Sequence, residues 1–114
     1  MQIDSLGDVI LTRKIFIVGE QEREIVINIG KPKEIEDNGD YYCPYQIVGI
    51  GNEKIRYAIG IDQVQAMQLT LSRIGADLYT SEEGRSGNLR WIGDEKGDLG
   101  FPVPDSIKDL LPKK

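Results

Sequence analysis

Residues 9–18, VILTRKIFIV, put Val9, Leu11, Ile15 and Ile17 on one side of an extended chain and Ile10, Phe16 and Val18 on the other. β-Branched residues dominate, so the stretch reads as a strand. Thr12, Arg13 and Lys14 keep either side from being wholly apolar. Gly19-Glu20-Gln21-Glu22 reads as a turn. Residues 23–29 then alternate, with Ile25, Ile27 and Ile29 inward, Glu24 and Asn28 outward, and Val26 the one apolar residue on the outer side. The short connection predicts a hairpin of a half-buried sheet. Residues 30–40 form a polar loop punctuated by Pro32 and Asn38-Gly39. Residues 41–50, YYCPYQIVGI, read as a third strand. Pro44 has no N–H, which demands an edge position, a strand that begins near it, or a bulge. After a turn at Gly51-Asn52-Glu53, residues 54–60 read as a fourth strand, with Ile55, Tyr57 and Ile59 alternating with Arg56 and Ala58. A four-stranded antiparallel meander is the simplest topology.

The period then changes. Asp62 is a good N-cap, and Gln65 stands three residues on, as in a capping box. Val64, Met67, Leu71, Ile74 and Leu78 follow at helical spacing and form one apolar stripe, flanked by Gln68 and Leu69. Either Gly75 ends the helix in a left-handed conformation, or the helix runs on to about Leu78. Residues 79–100 are polar, glycine-rich and expected to be mostly mobile, with Leu89–Ile92 a short fifth strand. Phe101-Pro102-Val103-Pro104 is extended, because proline moves the preceding residue away from helix. Asp105 is placed to cap a short helix over 106–111, stopped by Pro112. The fold class is α+β: a meander of four to five strands, one main helix packed on one face, and a short C-terminal helix.

With 114 residues the chain is the size of one domain, and nothing in its pattern suggests two. Thirteen glycines agree with several turns. The net charge is −5, and most acids are clustered: Glu20, Glu22 and Glu24; Glu34, Glu36, Asp37 and Asp40; Glu82 and Glu83; Asp94, Glu95 and Asp98. Such clusters read first as solvated loops, and more sharply as an acidic face for a basic partner protein. No Lys/Arg stripe accompanies them, which speaks against nucleic acid. The single cysteine, Cys43, rules out an internal disulfide and suits a reducing cytoplasm. The N-terminus lacks the layout of a signal peptide, and no apolar run is long enough to span a bilayer.

There is no histidine. That removes Ser-His-Asp and Cys-His catalysis and four-ligand structural zinc sites. Cys43 reads as a small core thiol unless a cation or helix N-terminus activates it. Asp94-x-x-x-Asp98 lacks the alternating ligands of a calcium loop, and Gly49-Ile50-Gly51 lacks the helix that opens a phosphate loop. Tyr41, Tyr42, Tyr45 and Tyr57, with Arg56, make an aromatic group on the third and fourth strands. It reads as cross-strand packing or as a protein-contact patch, where Tyr, Trp and Arg are enriched. Arg85, Arg90 and Trp91 lie in the glycine-rich segment, with Trp91 either a binding anchor or folded back onto the core. Gln63, Gln65 and Gln68 give the helix start an amide character.

The strings Tyr42-Cys43-Pro44, Gly60-Ile61-Asp62, Gln65-Ala66 and Ile74-Gly75-Ala76-Asp77-Leu78 resemble a family of small bacterial proteins of unknown function. The resemblance covers about a third of the chain. It implies a bacterial source and a free-standing domain, and carries no activity or site residue with it.

These features together point to a non-catalytic cytoplasmic module that binds another protein with a basic surface, of an accessory or immunity type. It would need no cofactor, metal, nucleic acid or membrane. Tyr42, Tyr45, Arg56, Tyr57, Arg90 and Trp91 are the candidate binding residues. An alternative is a small-molecule binder or enzyme using carboxylate and tyrosine chemistry, with a pocket between sheet and helix lined by Arg56, Tyr57 and Asp62. A second is a homodimer joined through a sheet edge or the tyrosine face.

Overall fold

The computed structural model describes residues 3–19, 23–36, 38–94 and 96–111. Glu20 to Glu22 of the first turn, the acids Asp37 and Glu95, and Pro112 lie outside them. In chain order the elements are β1 (Val9–Ile17), β2 (Arg23–Gly30), β3 (Lys33–Glu34), β4 (Tyr41–Val48), β5 (Arg56–Gly60), α1 (Gln63–Thr80), α2 (Glu82–Arg85), β6 (Leu89–Trp91) and a 3₁₀ segment (Asp105–Leu110).

The four expected strands are present as β1, β2, β4 and β5, each antiparallel to the next. The expected fifth, β6, pairs with β1 on its other side. Residues 30–40 are not wholly loop, because β3 pairs with β4 at Lys33↔Tyr42 and Glu34↔Tyr41. Compared with Ile29↔Tyr45 in β2, the register there has slipped by one residue. β3 therefore continues β2 along the same edge of β4 after a bulge at Lys31-Pro32. A two-residue ladder with no apolar alternation left no trace in the pattern of the chain. Pro44 sits opposite this bulge, in an interior strand, with β5 on the other side. Of the three settings that its missing N–H allowed, the bulge is the one used. Gly30, beside it, has no room for a side chain: a Cβ there would lie 2.1 Å from the carbonyl oxygen of Leu6.

One face of the sheet carries the core. Ile15, Ile25, Ile27, Ile29, Cys43 and Tyr45 are all buried on it. α1 lies over β4 and β5. Asp62 caps it as expected: its Oδ1 accepts the Gln65 N–H at 2.7 Å, while Gln65 Oε1 accepts the Ile61 N–H at 2.8 Å. The buried stripe is rotated from the one expected. Ala66, Thr70, Ile74 and Leu78 are fully buried, Met67 and Leu71 flank them, and Val64 is 65% exposed. The small Ala66 and polar Thr70 did not count as core in a hydrophobicity pattern, yet they face the sheet. Thr70 does so because its hydroxyl is used there.

Gly75 does not end the helix. It lies buried within α1, and a Cβ there would meet the Pro102 carbonyl oxygen at 2.2 Å. The segment 99–103 crosses the helix at this glycine, burying Leu99 and Phe101. The stretch 79–100, expected to be mostly mobile, contains the last turn of α1, then α2, β6 and a turn. In that turn Asp94 Oδ1 accepts the N–H groups of Lys96, Gly97 and Asp98. The terminal helix is a 3₁₀ segment kinked at Ile107. Pro104, not Asp105, occupies its cap, and Asp105 instead pairs with Lys108 at 2.9 Å.

Candidate functional site

A cleft of about 470 Å³ opens between the β4–β5 turn and the junction of α1 with α2. Its floor starts from strand pairing. Tyr45 in β4 stands opposite Arg56 in β5, so both side chains leave the same face of the sheet. That face is the one covered by α1, and Asp77, three residues from the end of the helix, meets both. The Tyr45 hydroxyl donates to Asp77 Oδ2, and Arg56 Nη1 stands 3.9 Å from Asp77 Oδ1. Tyr45 is fully buried. Burial, then the Asp77 carboxylate it donates to, pushes the phenol well above its usual range. At neutral pH Tyr45 is therefore a neutral donor that orients Asp77, and the Asp77 side chain keeps a quarter of its surface in water.

The two walls are equally local in origin. On one side, Gly49, Gly51 and Glu53 all have positive φ, and Glu53, at 58°, is not a glycine. The turn holds that backbone because Glu53 closes it. Its carboxylate accepts the Gly49 N–H at 3.0 Å, and its carbonyl accepts from the Gln46 amide at 2.8 Å. On the other side, Ser81 ends α1 and starts α2, its hydroxyl accepting the Gly84 N–H at 3.0 Å. Glu82 and Glu83 then occupy the first turn of α2, where carboxylates are favoured. The lining holds four acids, Glu53, Asp77, Glu82 and Glu83, against two cations, Lys54 and Arg56. Besides Tyr45, the two lining hydroxyls are committed to helix carbonyls: Thr80 to Ala76 and Ser81 to Leu78, each at 2.6 Å.

The six candidate residues are not brought together. Only Tyr45 and Arg56 line the cleft. Tyr42 and Tyr57 are on the opposite face of the sheet, edge to face with ring centroids 6.2 Å apart. Arg90 and Trp91 are on β6, at the far edge. Trp91 packs against the core, with the Arg13 guanidinium 4.2 Å from its ring centroid, and Arg90 donates to the carbonyls of Gly87 and Leu89. A cavity does exist between sheet and helix, with Arg56 in its wall, but Tyr57 and Asp62 are not in it. Asp62 is at the other end of α1. Asp77 was the missed residue. An aspartate is a poor helix-interior residue, and one set between Ile74 and Leu78 of the buried stripe signals a fixed partner.

Cys43 is buried, with Sγ 3.5 Å from the Gly30 carbonyl, and burial raises its thiol. Among the described residues there is no group of three or more His, Cys, Asp or Glu side chains able to hold a metal ion, and no helix long and apolar enough to cross a membrane.

An antiparallel sheet with one main helix over two of its strands defines an α+β protein. Residues 11–103 match the family model described as a domain of unknown function, DUF6968, and the chain belongs to that family. No curated protein and no solved structure matches it.

Proposed function

We propose that this protein is a non-catalytic binding module that takes a basic segment of a partner protein into the cleft beside Asp77. The observation that carries this is the charge of the lining: four carboxylates against two cations, one of which, Arg56, already faces Asp77. A lysine or arginine side chain entering there meets Glu82 and Glu83 at the mouth and the water-exposed part of Asp77 at the floor. Recognition rather than turnover is supported by the state of the nearby groups. Tyr45 is held as a neutral donor, and the Thr80 and Ser81 hydroxyls are spent on the helix.

The volume favours a second reading, a small cationic molecule, because ligand pockets span roughly 300–1,000 Å³. One titration separates the readings. A lysine- and arginine-rich peptide, an acidic peptide of equal length and free arginine amide are each added to isotopically labelled protein while amide shifts are followed. The basic peptide is expected to shift the amides of Glu53, Lys54, Asp77, Glu82 and Glu83, the effect fading with added salt and with Glu82→Lys and Glu83→Lys. Shifts from free arginine amide alone would favour the small ligand. No shift from either cation at low salt would sink both.

A further inference from the structure

Two of the four carboxylates that line the cleft are already half used by the fold. Asp77 Oδ2 accepts the Tyr45 hydroxyl, and Glu53 Oε2 accepts the Gly49 N–H at 3.0 Å. Each bond is fixed by its setting. Tyr45 is fully buried, so its hydroxyl cannot turn to water instead. Glu53 holds a positive φ in the turn that its own carboxylate closes. Each of these carboxylates therefore offers a ligand one oxygen and not two. At Asp77 that oxygen is Oδ1. Arg56 Nη1 faces it from 3.9 Å, a distance at which charge is felt but no hydrogen bond forms. The other two acids, Glu82 and Glu83, are in the first turn of α2 at the mouth. Carboxylates at such a rim attract any cation and distinguish little between them. The lining also includes Ile47 and Ile50, both half-buried against the core. They give the methylene stem of a long side chain an apolar surface to lie on.

We propose that the segment bound in the cleft is anchored by a lysine and not by an arginine, and that Tyr45 sets this preference. The proposal rests on the reading of the cleft as a seat for a basic segment. A guanidinium is a planar fork, and its advantage at a carboxylate comes from two parallel hydrogen bonds to two oxygens. With Oδ2 taken by Tyr45, Asp77 can accept only one of the two. The second N–H of the fork is then aimed at an oxygen that already has its donor. An ammonium is a compact charge with three donors that rotate about the end of a flexible stem. It loses nothing at a single oxygen: one donor goes to Asp77 Oδ1, and the others stay free for water or for Glu53. Burial sharpens the difference. The Asp77 side chain keeps only a quarter of its surface in water, and a donor left without a partner there costs more than one in solvent. The order runs against the usual one, since arginine is the more common cation in interface ion pairs. Nor does it follow from the acidity of the cleft, because net charge is blind to the shape of the cation.

The test compares two peptides of identical sequence, one with lysine and the other with arginine at every basic position. Each is titrated into isotopically labelled protein at low salt, and its affinity is read from the amide shifts of Glu53 and Asp77. The lysine peptide is expected to bind several-fold more tightly. In Tyr45→Phe the hydroxyl is gone and Oδ2 is released, so the arginine peptide should gain on the lysine peptide and the gap should close or invert. A purely structural effect of that substitution would weaken both peptides alike and leave their ratio unchanged. The amide spectrum of the variant reports whether it is folded, and if it is not, the order of the two peptides on the parent protein decides alone. Equal affinities, an arginine preference, or a lysine preference that persists unchanged in folded Tyr45→Phe would overturn the proposal while leaving a cleft that binds basic segments. Failure of both peptides to bind would remove the reading of the cleft itself, and this proposal with it.

Discussion

The hydroxyl of Thr70, fully buried on α1, donates to the carbonyl of Cys43 at 3.0 Å. That carbonyl precedes Pro44, in the part of β4 lying between the end of the β2 ladder and the start of the β3 ladder. Nearby, Arg73 donates to the carbonyl of Tyr57 at 3.1 Å. The helix thus donates to a backbone carbonyl of each of the two strands it covers. This ties α1 to β4 and β5, and so places Asp77 beside Tyr45.

Thr70→Val keeps the volume and deletes the donor. A buried hydrogen bond contributes about 0.5–1.5 kcal/mol net, so urea denaturation should show a loss of that order, with Thr70→Ser losing less. A valine variant as stable as the parent would mean that the Cys43 carbonyl does not depend on this hydroxyl.

Gly75→Ala sets two effects against each other. In an open helix alanine gains about 1 kcal/mol over glycine. Here the new methyl would lie 2.2 Å from the Pro102 carbonyl oxygen, a backbone atom. Overpacking of that kind costs about 1–3 kcal/mol, and the crossing segment has to move. The net expectation is destabilisation, read as a lower thermal midpoint. A higher midpoint would show that the 99–103 segment gives way freely.

The buried phenols make stability fall at high pH. Tyr45 is raised by burial and then by Asp77, and Tyr79 by burial. Their unfolded values are about 10. Below that pH both states are protonated and the full stability is present. Above it the unfolded chain loses protons first, and stability declines until the folded phenols ionise as well. The urea midpoint should therefore hold to about pH 9 and then drop. Tyr45→Phe should start lower, having lost the bond to Asp77, and decline less steeply. An unchanged slope in Tyr45→Phe would remove Tyr45 as a source of the effect.

What could be read in the chain was what depends on local pattern. Period-two alternation gave β2 and β5, β-branched content gave β1, and Asp62 with Gln65 gave the helix start. What could not be read depends on contacts made across the fold. Gly75 looks like a terminator until the 99–103 segment is seen crossing it. Val64 fits the apolar stripe, but Ala66 and Thr70 are what the sheet accepts. Tyr45 reads like Tyr42 and Tyr57, yet strand alternation sends it to the core face, where Asp77 awaits it. Half the cleft was legible through Tyr45 and Arg56. Of the acidic half, Glu82 and Glu83 stood out as an acid pair, but their meeting with Glu53 and Asp77 was not legible, because a turn and a four-residue helix bring them there and no periodicity records that path.

Arg13 is the place where packing and charge are hardest to separate by eye, and a conservative change separates them. Its guanidinium lies 4.2 Å from the Trp91 ring centroid and 4.7 Å from that of Phe101, and donates to the Leu99 carbonyl at 3.2 Å. A planar cation can stack on a ring while its edge donates; an ammonium keeps the charge but cannot do both. Arg13→Lys should therefore cost about 1 kcal/mol and shift Trp91 emission to the red as the ring loses its cover. If charge alone mattered, Arg13→Lys would match the parent in both readouts while Arg13→Met would not. If stacking matters, as the geometry requires, methionine, whose polarizable, adaptable thioether also packs on rings, should hold the emission nearer to that of the parent than lysine does.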